Sequence, residues 1–319
     1  MVSEELNGKP IELVFHNIHE HGVEIMDMWI NEIETRTGGR IRFAKTSGEN
    51  SELIAAADVV RDVPAMSSRY PLLNLVQVPF VFPDSTVGSK VIAQLYAEFR
   101  ELREELSDVK VIGLGTGALM AIFSSRDWGP ICTLEDFKGA RTRSLTPIDG
   151  VIEALGGKPL HVGYLEIRQL LEKGQLDATV LGILPAYNFK LAEGPAPYCT
   201  IPGARSVTMH PIRLYMKRDT WDSLPPDIRV IIDEMGPDGK DCWYAVQSGT
   251  DADNHLVEAM EYIRQNGEMV KVAPGELDRW HQQIQPNLES VVNEVEAQGL
   301  PARKFFKRMN ELVAEYSQI

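Results

Sequence analysis

Two arginines, Arg141 and Arg143, close the run Phe137-Lys138-Gly139-Ala140-Arg141-Thr142-Arg143-Ser144, and Thr146-Pro147 follows almost at once. On an extended strand, side chains two positions apart point to the same side. Threonine followed by proline reads as a helix start, with a capping hydroxyl and then a residue whose φ is preset and which has no amide hydrogen to leave unpaired. A helix start offers free N–H groups and the positive end of the backbone dipole. Two guanidinium forks beside it suit a carboxylate in geometry and charge. The alternative is a pair of solvated arginines on an edge strand, and spacing alone leaves both open.

Other chemistry-bearing patterns are weaker. His16, His19 and His21 cluster in HNIHEH, but Glu20 stands directly before His21, so the metalloprotease spacing is missing. A structural zinc needs four ligands and the others are not evident, so hydrogen bonding to a ligand at the end of the first strand is the favoured reading and solvated loop histidines the alternative. Gly113-Leu-Gly-Thr-Gly117 lacks the third glycine at the offset of a dinucleotide loop, and the next strand does not end on an acidic residue. There is no GxxxxGK[ST] run and no GxSxG elbow, so Ser124 and Ser125 have no nucleophile context. Glu153, Glu166 and Asp177 read as helix-face or structural carboxylates. Trp128 and Tyr164 lie near the arginine segment in sequence order, where they could wall a pocket, although core packing is the favoured reading of Trp128.

These residues need a scaffold. Ile11–Asn17 is rich in β-formers. Val23, Met26, Ile30 and Ile33 then recur at helical spacing, with Glu32 and Arg36 one turn apart on the other side, before Gly38-Gly39 stops the helix and Ile41 begins a second strand. That is a β-α-β start with a parallel strand pair. Further strands are expected at 109–114, 118–124, 140–144, 176–181 and 213–217. Helices are expected after Thr146, with Ile148, Val151, Ile152 and Leu155 buried, over 165–173, around Ile228–Met235, and over most of the chain from about Asp241. Alternating strands and helices give open α/β sheets, whose ligands bind beyond the carboxyl ends of the strands.

At 319 residues the chain exceeds what one core usually organises, so two lobes are expected. Lobe I is assigned 1–125 plus about 213–250, and lobe II 126–212 plus about 251–319. The net charge of -14, from 32 basic and 46 acidic residues, argues against a nucleic-acid partner. An anionic ligand must therefore be held by a local cluster, not by bulk attraction. Cys132, Cys199 and Cys242 are widely spaced with no CxxC pair; three buried thiols is the favoured reading, and one disulfide plus a free thiol the other. No stretch is apolar and long enough to insert in a membrane. The first residues lack the regions of a secretion signal, so the protein is either cytosolic or its signal has been removed.

Three segments, LEDFKGARTRS (134–144), ALGGKPLHVGYLEIRQLLEKGQLDA (154–178) and YMKRDTWDSLPPDIRVII (215–232), occur in order, with GGRIRF (38–43) and YPLLNLVQVPFVF (70–82) ahead of them. Together they resemble the DctP-type extracytoplasmic solute-binding proteins of TRAP transporters, over nearly the whole chain. The resemblance implies a two-lobed periplasmic-binding-protein-like fold of type II, with a ligand cleft between α/β lobes and a long connecting helix. It implies a periplasmic protein, its signal removed, that takes up a small organic acid and hands it to a TRAP membrane permease, with no cofactor, no metal and no catalysis. The family arginine that seats the ligand carboxylate corresponds to Arg143, and Arg126 matches a second arginine used by some members. Tyr164 falls where an aromatic residue covers the ligand. His16, Asn17 and His19 fall on the cleft-facing loop of the first strand, His210 near the strand that returns through the hinge, and Met66 near the pocket.

Two departures from the family pattern bear on the ligand. Leu181 stands where the family carries an amide, and Ala57 where it carries a glycine, in a loop (46–58) that is short. A hydroxylated ligand needs many paired groups, because buried polar atoms without partners are costly. With Leu181, Met66 and Tyr164 nearby, an aromatic or compact apolar monocarboxylate is the leading expectation, and sugar acids and keto or hydroxy acids stay open. Capture by closure of the lobes is the expected mechanism. The alternatives are a ligand sensor for a signalling partner, a binding protein of an ABC-type importer, and an α/β enzyme without a recognisable motif.

Overall fold

The structure, a computed structural model, describes residues 9–18, 23–64, 69–145, 148–239 and 242–318. The expected β-α-β start is present. Strand β1 (Ile11–Asn17) pairs in parallel with β2 (Ile41–Ser47), from Ile11 opposite Ile41 to Asn17 opposite Ser47. The crossover helix Val23–Arg36 buries Ile25, Met26, Trp29, Ile30 and Ile33. Val23, expected in that stripe, sits exposed at the first helical position. Glu32 and Arg36 form the expected i,i+4 ion pair at 2.7 Å. Gly38 and Gly39 take φ of 62° and 74°, a left-handed conformation that glycine adopts without steric cost and that ends the helix.

The first sheet adds β3 (Val59–Asp62), β4 (Lys110–Thr116) and β10 (Pro211–Met216), in the order β2-β1-β3-β10-β4. The second has the order β11-β9-β5-β8-β6-β7. It is built from β5 (Met120–Ser124), β6 (Arg141–Arg143), β7 (Lys158–Leu160), β8 (Ala178–Gly182), β9 (Tyr198–Thr200) and β11 (Glu268–Val270). Each sheet is covered by helices on both faces, and four apolar clusters fill the spaces between.

The expected lobe limits need two corrections. β5 pairs with β8 and β9, so the chain crosses to the second lobe at 117–119, not after 125. The end of the chain returns to the first lobe. The helix Pro274–Glu296 begins in the second-lobe core through Trp280 and Ile284. It ends in the first-lobe core through Val292 and Val295, where Phe305, Met309 and Leu312 of the last helix (Ala302–Tyr316) also lie. A further tie is the segment 78–82. Val78 and Phe82 pack in the first-lobe core, while Phe80, at φ 61°, inserts into the second-lobe core against Trp280.

The long helix Trp243–Asn266 fastens both lobes. Its Asp253 carboxylate accepts the Ser85 and Thr86 backbone N–H groups, both at 2.9 Å, at the head of the helix Ser85–Glu98. Ala259 and Ile263, further along, are buried in the second lobe. The glycine run of β4 belongs to this packing. A Cβ at Gly113 would stand 2.6 Å from the Tyr244 ring, so these glycines admit the helix and form no nucleotide loop. The three cysteines are free, and only Cys199 is fully buried, against the expectation of three buried thiols. Among the described residues no helix is long and apolar enough to cross a membrane.

Gly113→Val should destabilise the protein by about 1–3 kcal/mol, the usual cost of overpacking a close-packed core. Chemical denaturation measures this, and an unchanged midpoint would show that the helix can retreat from the strand.

Candidate functional site

The carboxyl ends of β6, β7 and β8 lie side by side, with Arg143 opposite Leu160 and Thr179 across the parallel ladders. A turn through Gly139, at φ 83°, starts β6 and delivers Arg143 to that end. Its side chain is buried, the residue being only 5% exposed. One guanidinium nitrogen, Nη1, donates to the Val180 carbonyl at 3.3 Å. Nε is buried and has no hydrogen-bond partner among the described residues. Burial pulls the guanidinium below its ordinary pKa, and the neighbouring Tyr164 phenol opposes that shift. A buried cation with an idle donor is costly unless an anion completes it.

Arg141 does not form the second prong. Its Nε and Nη2 grip the Asp177 carboxylate at 2.8 and 2.6 Å, and Nη2 also donates to the Gly174 carbonyl at 2.7 Å. The two arginines share a strand face, but they stand about 7 Å apart along it. Arg141 is at the opening of the strand, where Asp177 precedes β8, and Arg143 is at its close. The helix start at Thr146-Pro147 lies outside the described residues, and the helix beyond it runs Asp149–Ala154. Its Asp149 accepts the Ser144 hydroxyl and contacts His161 Nε2 at 2.6 Å, tying the segment after Arg143 to the end of β7.

Tyr164 sits in the short turn Tyr164–Glu166 beyond β7. Glu166 is a local cap, accepting the Gly163 N–H at 2.9 Å. The Tyr164 ring lies 4.8 Å from the Phe189 ring at 51°. Leu181, two residues beyond the partner of Arg143 on β8, shares its face of the sheet and is buried with Leu119 and Ile183. Phe189 is the residue sequence reasoning missed. It follows the helix Ile183–Asn188, which leaves the end of β8, and only the three-dimensional convergence of β7 and β8 puts it beside Tyr164.

Arg126 is not brought to this cluster. β5 runs antiparallel to β8, with Ser124 opposite Ala178, so the turn after β5 emerges at the opposite end of the sheet from Arg143. Arg126 is exposed there, its backbone N–H donating to the Pro195 carbonyl at 3.1 Å. Trp128, in the same turn, is 38% exposed and donates from its indole to the Asp136 carbonyl at 2.9 Å, so it is neither pocket wall nor core.

In the first lobe, His16 is fully buried. Its Nε2 contacts the Gly48 carbonyl and its Nδ1 the Thr46 hydroxyl, both at 2.8 Å. A carbonyl only accepts, so Nε2 carries the proton, and the two ring nitrogens together hold the end of β2 and the loop after it. Asn17, the last residue of β1, accepts from Arg61 Nη1 at 3.2 Å, and Arg61 Nε donates to the Tyr244 hydroxyl at 3.2 Å. His210 contacts Gln77 Oε1 through Nδ1 at 2.8 Å, at the head of β10 beside the interlobe crossing. His19 and Met66 lie outside the described residues. Among the described residues, no group of three or more His, Cys, Asp or Glu side chains is arranged to hold a metal.

The sequence profile of the DctP family, described as bacterial extracellular solute-binding protein, family 7, matches residues 18–295. A marine-metagenome TRAP solute-binding protein specific for aromatic acid ligands, solved with 3-hydroxybenzoate, superposes with a TM-score of 0.85 at 20% identity, covering 97% of this chain and 99% of that one. A TRAP solute-binding protein from Rhodoferax ferrireducens, solved with copurified benzoate, gives 0.81 at 18% identity over 97% and 99%. One from a Sulfitobacter species, with bound β-D-galacturonate, gives 0.73 at 19% identity over 94% and 99%. At these identities the likeness is one of fold, a two-lobed α/β architecture.

Because Arg143 is buried with a donor, Nε, that has no partner among the described residues, Arg143→Met should leave the protein as stable or raise its unfolding free energy by about 1–4 kcal/mol. Urea denaturation of ligand-free protein checks this. A loss of stability would mean that the guanidinium is a structural tie.

Proposed function

The chain belongs to the bacterial extracellular solute-binding proteins of family 7, and from that premise we propose that it captures a small organic acid outside the cytoplasm, by the carboxylate, for delivery to a TRAP-type membrane permease. The observation that carries this reading is the buried Arg143 guanidinium, whose Nε has no hydrogen-bond partner among the described residues. A carboxylate is planar and accepts two parallel N–H bonds, so it fits the fork where a single polar atom would not. In the buried site those charge-assisted bonds are stronger than in water.

The proposed ligand body is aromatic or compact and apolar. Leu181, Tyr164 and Phe189 flank the guanidinium side of the sheet. A polyhydroxylated acid would leave its hydroxyls against them without partners. Binding proceeds in two stages on this reading. The acid docks on Arg143 in the second lobe, and the first lobe then covers it. Because the ligand makes contacts in the closed state that the open state lacks, it biases the population toward closure, which is the form the permease would read. No bond of the ligand is made or broken.

A thermal-shift screen against organic acids tests the class, because a ligand bound only by the folded state raises the unfolding midpoint. Benzoate-like acids should give the largest shifts and galacturonate little. Arg143→Ala should weaken binding by about a hundredfold or more, the loss of two charge-assisted hydrogen bonds. Arg143→Lys should also weaken it, because a point charge lacks the fork. A dominant shift from galacturonate would overturn the apolar class. Wild-type affinity in Arg143→Ala would overturn the carboxylate seat.

A further inference from the structure

The Tyr164 ring packs against a side chain from another element. Phe189 caps the helix Ile183–Asn188 and lies against the Tyr164 ring at 4.8 Å. Its own position is fixed twice. Behind it, Lys190 turns into the left-handed region at φ 53° and Leu191 is fully buried, with Leu191 N–H donating back to the Ala186 carbonyl at 3.1 Å. Beside it, Arg168 Nη1 donates to the Phe189 carbonyl at 2.6 Å and to the Lys190 carbonyl at 3.2 Å. Arg168 belongs to the helix Ile167–Glu172, which continues the chain from Tyr164, and its Nε is held by Glu172 at 2.8 Å. A Cβ at Gly194 would stand 3.1 Å from Arg168 Nη2, so a glycine leaves the guanidinium its room.

The loop that carries Tyr164 and the helix end that carries Phe189 are thus bolted together by Arg168. The two rings pack against each other as one wall, and the tie fixes the backbone from which Phe189 reaches Tyr164. An aromatic pair contributes beyond its buried area only while its geometry is kept. We propose that Phe189, fixed by Arg168, is a specificity-positioning residue: it sets how far the Tyr164 ring reaches over the acid seated at Arg143, and so favours a flat aromatic acid over an aliphatic one of equal charge. This rests on the reading of Arg143 as the carboxylate seat.

Two measurements separate the two claims. In ligand-free protein with ¹³C-labelled tyrosine, the Tyr164 ring resonance is identified by its loss in Tyr164→Phe. It should move in Phe189→Leu and in Arg168→Gln, and stay close to wild type in Phe189→Tyr. Calorimetry with benzoate and butyrate then reads selectivity. Phe189→Leu should weaken benzoate by about three- to tenfold and leave butyrate unchanged, with Phe189→Tyr restoring the preference. A Tyr164 resonance indifferent to Phe189→Leu, or equal losses for both acids, would overturn the positioning role. If neither acid bound the wild type, the proposed ligand class would fail, while the Tyr164 resonance would still decide whether Phe189 positions that ring. Should Phe189→Leu fail to fold by its unfolding midpoint, Arg168→Gln carries the same comparison.

Discussion

A permanently charged guanidinium, buried with one backbone carbonyl as its acceptor among the described residues, is the constraint around which the second lobe is arranged. Water would solvate that charge better than this setting does. The sheet nevertheless carries Arg143 inward, at the carboxyl end of β6, where open α/β sheets present their ligand crevice. The nearby acidic group that could neutralise a cation on this strand, Asp177, is spent on Arg141 at the far end. The separation keeps the structural ion pair and the unsatisfied cation from competing. In a chain of net charge -14 it also makes the attraction for an anion local.

A cleft that closes needs lobes that are rigid inside and joined at few places. The first condition is met by four apolar clusters, two per lobe, and by buried ties such as Arg213 with Asp62 at 2.7 Å. For the second, the connections among the described residues include the crossing at 117–119, the return into β10 at Pro211, the helix Trp243–Asn266, the helix Pro274–Glu296, and Phe80 inserted across the boundary. The helix Trp243–Asn266 is tied hardest at its first-lobe half, where Gly113 and Gly249 let it approach the strand and the neighbouring helix start. Movement between the lobes must be taken up where these connections cross.

Much of this was legible from the sequence because the signals are local. The stripe Met26, Ile30, Ile33 and the pair Gly38-Gly39 mark the first β-α-β unit with no reference to the rest of the chain. The strand carrying Arg141 and Arg143 was legible for the same reason, but spacing did not separate the two arginines, and only the family resemblance singles out Arg143. What the sequence hid is strand direction and long-range partnership. Arg126 stands close to Arg143 in sequence, but the antiparallel run of β5 carries it to the opposite end. Arg141 looked like a second prong because its partner, Asp177, is 36 residues away. The lobe boundary was misplaced because β4 and β5 are both almost wholly buried, and a three-residue connection gives no hint that they join different sheets. The resemblance places His16 on the cleft-facing loop, but both of its ring nitrogens contact groups of its own lobe. Phe189 carries no local signature at all, since its importance comes only from the ring it touches.

The central claim is that Arg143 Nε waits for a carboxylate. The most direct measurement follows that atom. With ¹⁵N-labelled arginine side chains, the Arg143 Nε–H resonance is identified by its loss in Arg143→Met and tracked while the protein is titrated with the acid that binds tightest. The account predicts a downfield shift and slower exchange with water at saturation, as an N–H bonded to a carboxylate shows. An acid that saturates the protein while that resonance stays where it is would contradict it.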